Sequence, residues 1–237
     1  MILWRLKAKI VDVETAFLHG ELEEVIYMKC PEGMVHQEDE CLLLLKSIYG
    51  LAQSARQYYK KFISILRKIG FEGGQADPCL FIRRGRKGIC FIAIWVDDSL
   101  LIGDEDEINE VIQDLRKHEL SLKIGGSLED YLSCEITMDH KRNIGWIHQP
   151  HLLKKLDEKF GKLVKGLQTY RTPGTPGQTL IRKVGATISQ EQQSIYRSGV
   201  GMLLYLVKHT RPDIANAVRE LSKCLDNTSP NAYKELL

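Results

Sequence analysis

The chain has 237 residues, 43% of them hydrophobic and 27% charged, which is enough for one large domain or two small ones and too apolar for a disordered chain. Lys and Arg number 33 against 31 Asp and Glu, so the formal charge of +2 excludes a strongly cationic module and leaves a nucleic-acid partner open. No apolar run reaches the roughly 18 residues of a membrane span, and the opening apolar residues are interrupted by Arg5, Lys7 and Lys9 before a signal peptide could form. A soluble, intracellular protein without a membrane partner is expected.

Residues 10–13 predict a short buried strand, because β-branched residues flank a single Asp. A Glu-rich loop follows, then a strand at 25–28 and a turn at Pro31-Glu32-Gly33. Residues 41–45 fit a buried strand or a turn of helix. Ser54 is the expected N-cap of the clearest helix, in which Ala55, Tyr58, Tyr59, Phe62, Ile65, Leu66 and Ile69 recur at helical spacing before Gly70. A basic cluster comes next, Arg83-Arg84-Gly85-Arg86-Lys87, and a second lies at Lys154-Lys155. Residues 89–103 set two β-prone runs around Asp97-Asp98, the pattern of a hairpin with carboxylates at its tip.

Asp104 is the expected cap of a second helix, with Glu107 three residues on in an arrangement close to a capping box, striped by Ile108, Val111, Ile112 and Leu115. The acids at 104–107 therefore read as a helix N-terminus rather than a metal site. Residues 120–124, 131–137 and 144–148 predict further strands. The six cysteines form no CxxC pair and read as free thiols, and His148 and His151 lack a third nearby metal ligand. Thr172-Pro173-Gly174-Thr175-Pro176-Gly177 marks a linker. Beyond it, Ser189 with Gln192 predicts a capping box ahead of Tyr196, Val200, Leu203, Leu204 and Val207, and Pro212 and Ser229-Pro230 each open another helix. The expected division is a domain over 1–164, a linker over 165–188 and a helical segment over 189–237.

The carboxylates carry the chemistry. Adjacent ionised acids repel and are costly to bury, so Asp97-Asp98 marks either a solvated hairpin tip or a cation site. Asp12 stands alone between Val11 and Val13 in a second apolar strand. One sheet can bring the three together as hard oxygen ligands for Mg²⁺, and two such ions about 3.5–4 Å apart serve in-line nucleotidyl transfer.

Five segments extend this reading. The run from Val11 through Asp12 and Phe17 to Glu24 resembles the first catalytic motif of copia-type LTR-retrotransposon reverse transcriptases. Ser47-Ile48-Tyr49-Gly50-Leu51-Ala52-Gln53-Ser54-Ala55-Arg56-Gln57-Tyr58-Tyr59 resembles their "YGL-x-Q-S-P-R-x-W/Y" segment, and Trp95-Val96-Asp97-Asp98 their "YVDD" box. Asp130-Tyr131-Leu132-Ser133-Cys134-Glu135-Ile136 is similar to their "YFLGIEI" strand. The stretch from Tyr196 to Leu206, followed by Thr210-Arg211-Pro212-Asp213-Ile214-Ala215, resembles "YR-x-x-VG-x-LLYL…TRPDI".

The resemblance implies an α+β fold, with an antiparallel palm sheet carrying helices on one face and a mostly helical thumb or connection segment. It implies template-directed addition of dNMP to a primer 3′-hydroxyl, with an RNA template, a DNA primer and dNTP as partners. Asp12 and Asp97 would hold two Mg²⁺ ions (or Mn²⁺ in vitro), assisted by Asp98. Phe17 would be the wall that excludes a 2′-hydroxyl, with Gly50, Gln53 and Trp95 near the nascent base pair. Leu132 and Ser133 would form the primer grip, and the family location is a cytoplasmic virus-like particle. Three departures stand out: Trp95 for Tyr in the box, Ala55 for Pro, and Ser133 for Gly, the last a source of strain if the site needs positive φ. Few residues precede Asp12, so the fingers are expected to be largely missing, the chain to stop before ribonuclease H, and the uncovered apolar surface to favour self-association. The isolated chain is expected to be inactive or very weak as a polymerase, and the alternative reading is an inactive retroelement remnant that at most binds nucleic acid.

Overall fold

A computed structural model describes residues 1, 4–125, 128, 131–139, 141–174, 179–180 and 188–237. The chain divides into two compact units, residues 1–128 with 138–144, and residues 129–137 with 145–237.

In the first unit, β1 (Lys7–Val13) leads into a 3-10 turn (Ala16–His19), a short antiparallel pair β2 (Tyr27–Lys29) and β3 (Cys41–Leu43), and helix α1 (Ser54–Lys68). There follow β4 (Glu72–Gly73), β5 (Leu80–Arg84), β6 (Ile89–Trp95), β7 (Asp98–Gly103), α2 (Glu105–Lys117) and β8 (Leu122–Gly125). Strands β4-β5-β6-β7-β1-β8 form one sheet in that order, and every neighbouring pair is antiparallel. β1, first in the chain, thus sits between β7 and β8, where it is shielded on both edges.

The alternation along β1 explains why. Val11 and Val13 are buried in a core shared with Phe81, Ile92 and Leu101 of the sheet and with Tyr58, Phe62, Leu66, Ile108, Val111 and Leu115 of the two helices. Asp12, between them, must point to the opposite face. The apolar stripes read from the sequence are the faces that α1 and α2 bury.

Three local expectations change. Ser54 is the first helical residue, not the cap; its hydroxyl donates to the Ile48 carbonyl instead. Asp104 does stand at the N-cap position of α2 in extended conformation, but its side chain makes no cap bond and accepts from the Ile89 amide at 2.7 Å instead. Arg83 is no part of an exposed basic cluster. It lies on β5, buried, with Glu107, Glu110 and Asp114 of α2 all within 3.1 Å. β5 itself is not anticipated by the sequence, because a run ending in two arginines gives no buried-strand signal.

In the second unit, α3 (Pro150–Val164) and α4 (Gln190–His209) are followed by α5 (Ala215–Ser222) and α6 (Pro230–Leu236). A hairpin of β9 (Glu135–Asp139) and β10 (Ile144–His148) precedes them, its tip grouping with the first unit. The capping box at Ser189 and Gln192 is formed, and the Ser229 hydroxyl accepts from the Ala232 amide. Tyr196, Val200, Leu221, Cys224 and Ala232 make a separate small core. Helix α3 is an addition to the expected elements, although Leu152, Leu156 and Phe160 recur every fourth residue and Phe160 is buried. The 165–188 stretch falls within this unit, with 175–178 and 181–187 outside the described residues.

Leu132 and Ser133 are the two central residues of a tight turn closed by mutual backbone bonds of Tyr131 and Cys134. Their φ values are 53° and 58°, the left-handed pair that such turns require. Neither residue favours that region. Ser133→Gly is expected to stabilise the protein by about 1 kcal/mol, read as a higher urea midpoint at unchanged m-value.

Candidate active site

The ladder between β1 and β7 places Asp12 directly across from Asp98, and that between β1 and β8 places Lys123 on its other side. Trp95 in turn lies across from Asp98. Residues paired in this way point to the same face, so Trp95, Asp98, Asp12 and Lys123 form one row across the sheet. It lies on the face turned away from the two helices.

Asp97 belongs to the two-residue loop, Val96 and Asp97, that joins β6 to β7. The loop is tied to the end of β1, since the Val13 amide donates to the Asp97 carbonyl at 3.3 Å. Val96 has φ 57°, a region that a β-branched residue rarely adopts and that costs on the order of 1–3 kcal/mol. The hairpin tip therefore stores strain at the point where the acids gather.

Burial raises the Asp12 carboxyl above its ordinary pKa, and the Asp97 charge raises it further, against the opposing pull of Lys123. Asp12 thus feels the charge of Asp97 although the strand register pairs it with Asp98. Among the described residues, no three His, Cys, Asp or Glu side chains converge closely enough to enclose a metal ion by themselves. Beside Asp12 on the chain, Glu14 accepts from the Ser121 hydroxyl at 2.7 Å, which fixes the approach to β8 against the end of β1.

The 3-10 turn after β1 carries Phe17. Its ring centroid is 4.5 Å from that of Tyr49 and 6.3 Å from that of Tyr58, so it is braced on two sides. The turn is held against α1 by the close approach of Gly20, where a Cβ would collide with the Ser47 hydroxyl. Gly50 is required for a different reason than close approach: its φ is 101°, and a Cβ there would point into open space. Gln53 reaches Glu24 at 3.4 Å on the surface, and Trp95 is half-exposed. Leu132 and Ser133 belong to the second unit; the Leu132 carbonyl accepts from the Tyr205 hydroxyl of α4 at 3.0 Å.

Lys123, Tyr49 and Tyr58 are not singled out as site residues by the sequence. Lys123 carries no motif and acquires its place only through strand pairing. Tyr58 is legible as a core position of α1, but where its hydroxyl ends up is not.

Comparison with known proteins settles the family. Residues 5–173 match the family model described as reverse transcriptase (RNA-dependent DNA polymerase). The chain belongs to the reverse transcriptase family. It is 34% identical over 230 residues to the retrovirus-related Pol polyprotein from transposon TNT 1-94 of Nicotiana tabacum, an alignment covering 94% of this chain and 17% of that protein. It is 29% identical over 232 residues to the corresponding polyprotein from transposon RE2 of Arabidopsis thaliana, covering 96% of this chain and 16% of the relative. A putative transposon Ty5-1 protein of Saccharomyces cerevisiae is 29% identical over 219 residues, covering 91% and 69% respectively. The resemblance to copia-type elements is borne out, and this reverse transcriptase segment spans less than a fifth of the two plant polyproteins. No solved structure matches the chain. Among the described residues, no helix is long and apolar enough to cross a membrane.

Proposed function

We propose that this chain carries the catalytic centre of an RNA-directed DNA polymerase that extends a primer 3′-hydroxyl by two-metal nucleotidyl transfer. One observation supports this above all: Asp12 lies across the ladder from Asp98, with the Asp97 loop bonded to the next residue of β1, in a chain of this family. In that reading the six-stranded sheet with α1 and α2 is the palm, and the helical second unit is the thumb or connection.

The donor set suits Mg²⁺. Carboxylate oxygens are its preferred ligands, and Mg²⁺ is commonly taken up by one or two carboxylates together with substrate phosphates and water, so a closed three-residue cage is not required. Burial and mutual repulsion hinder ionisation of Asp12 beside Asp97, and a cation relieves that cost. Asp12 and Asp97 would hold the ions and Asp98 would assist. A cation held by Asp12 and Asp97 would supply positive charge against the charge that develops when a primer hydroxyl attacks and pyrophosphate leaves. The protein's own work is positioning: β1 and the strained hairpin tip fix the carboxylates, and the Phe17 ring, braced by Tyr49 and Tyr58, walls the sugar side.

Gly50, Gln53 and Trp95 would line the nascent base pair, and Leu132 with Ser133 would hold the primer terminus. Template and primer would be gripped through phosphates. The exposed Val25, Tyr27, Leu43 and Leu45 around β2 and β3 would cover a neighbouring segment or a second copy of the chain.

Magnesium-dependent extension of a DNA primer on an RNA template tests the proposal; no incorporation above background on any primed template rejects it. Binding of primed template without incorporation would identify the second reading, an inactive remnant that at most binds nucleic acid. Phe17→Ala is expected to lower discrimination against ribonucleotides by about 10- to 100-fold, measured as the ratio of kcat/KM for dNTP and NTP.

A further inference from the structure

The end of β1 away from the acids carries cations that the polymerase reading does not use. Arg5, Lys7, Lys141 and Asn143 line an open cavity of about 510 Å³. It lies within the first unit, which takes in both the start of β1 and the tip of the β9–β10 hairpin. All four residues are exposed, and among the described residues none of the three cationic side chains has a hydrogen bond or ion pair. Other cations of this unit are paired: Lys9 donates to Asn109 at 2.8 Å, and Lys60 and Lys61 meet Glu23 and Glu21 at 2.6 and 2.8 Å. Asp139, the acid nearest Lys141 in the chain, is occupied by the turn itself. It accepts from the Lys141 and Arg142 amides at 2.9 and 3.1 Å, so it shapes the tip that presents Lys141. Three like charges around one cavity repel, and an anion among them relieves that repulsion. A second observation narrows the anion. Trp4, next to Arg5, is 69% exposed, while Leu6 on the other side is buried and anchors the segment. An indole left in water beside cations offers a flat platform for a base.

We propose that this cavity is a second nucleic-acid contact, separate from the row of acids: Arg5, Lys7 and Lys141 hold the phosphates of a single strand, and Trp4 stacks one of its bases. The lining offers guanidinium, ammonium and amide groups and no carboxylate, a set that grips backbone phosphates without selecting sequence. Stacking on Trp4 needs an unpaired base, which a duplex keeps inside its own stack. Lys7 stands at the opposite end of β1 from Asp12, roughly 16 Å along the strand, and alternation puts it on the other face. The strand held here is therefore distinct from a primer end at the acids. β8 pairs with β1 from Ile10 to Val13, so among the described residues that strand leaves the edge beside Lys7 uncovered. The inference concerns binding alone and does not depend on catalysis.

The test is the fluorescence anisotropy of a short labelled oligouridylate mixed with the full chain in chelator, over a series of salt concentrations. Arg5→Gln/Lys141→Gln is expected to weaken binding at low salt by about tenfold or more, and to flatten the slope of log affinity against log salt by about 1.4. Trp4→Ala should weaken it by about 5- to 100-fold and reduce the quenching of tryptophan emission by the strand. Lys60→Gln/Lys61→Gln removes the same charge from α1 and should bind as wild type does. All the substituted side chains are exposed, so the variants should melt with wild type. Weakening confined to the Arg5/Lys141 and Trp4 variants supports the proposal. Equal weakening in both double variants assigns binding to net charge and overturns it. So does wild-type affinity in the Arg5/Lys141 variant, a duplex of the same length binding as tightly as the strand, inorganic pyrophosphate displacing the strand at equal concentration, or no binding by wild type at low salt. Strand binding of this kind in a chain that extends no primer rejects the polymerase reading and leaves the site standing.

Discussion

Asp97→Asn is expected to reduce primer extension by about three orders of magnitude, since losing a charged metal ligand removes several kcal/mol of transition-state stabilisation. Asp12→Asn should do the same, with an opposite effect on the fold. In the metal-free chain Asp12 faces Asp98 across the ladder and feels the charge of Asp97, and like charges so placed destabilise a sheet by roughly 0.2–1 kcal/mol. The neutral amide removes that repulsion, so the variant should unfold at a higher temperature than wild type in chelator. Asp12 has a pKa raised on folding. Its favourable contribution is therefore fully present below the unfolded value of 3.8 and is lost as pH rises through the folded value. Replacing the acid by an amide abolishes that part of the pH dependence. Mg²⁺ should stabilise wild type and leave the variant unchanged. A variant as active as wild type, or one that Mg²⁺ stabilises equally, contradicts the assignment of Asp12 as a ligand.

The second large effect concerns stability alone. Arg83→Ala is expected to destabilise the protein by about 3–5 kcal/mol, because it strands Glu107 without its cation. Glu107 is 0% exposed; one oxygen lies 2.8 Å from Arg83 Nε, as an ion pair too bent for a hydrogen bond, and the other accepts from the Lys87 amide at 3.2 Å. The remaining guanidinium nitrogens reach Glu110 at 3.1 Å and Asp114 at 2.9 Å, so a single side chain fastens β5 to α2. Burial works against the Asp114 charge, but the hydrogen bonds from Lys117 and Arg83 hold its pKa below the ordinary value. The double variant Arg83→Met/Glu107→Leu leaves no buried charge unpaired at that pair and should recover most of the loss. Urea unfolding measures both. Equal destabilisation in the single and double variants would refute the stranded-charge explanation.

These two sites also mark where sequence reading stops. The hairpin at 89–103 is legible because its two apolar runs and the acidic pair are contiguous, and β6, β7 and their two-residue loop depend on neighbours in the chain. The stripes of α1 and α2 and the capping box at Ser189 are equally local, set by spacings of three and four residues. The acids at 12, 97 and 98 are legible as candidates, because charged residues in apolar strands are costly unless something uses them.

Partnership between distant segments is not legible. Nothing near Arg83 in the sequence distinguishes it from Arg84 or Arg86; only the packing of α2 across β5 brings three acids to it and excludes water. Asp104 has the sequence of a cap, yet the close pairing of β6 and β7 offers its carboxylate the Ile89 amide, a stronger claim than the helix makes. Residue types and their spacing determined the local elements, the family motifs and the identity of the acids, since those depend on interactions within a turn or a hairpin. Which face each acid shares and which arginine is buried were decided by tertiary structure, because desolvation and pairing act only after strands and helices from remote parts of the chain exclude water together.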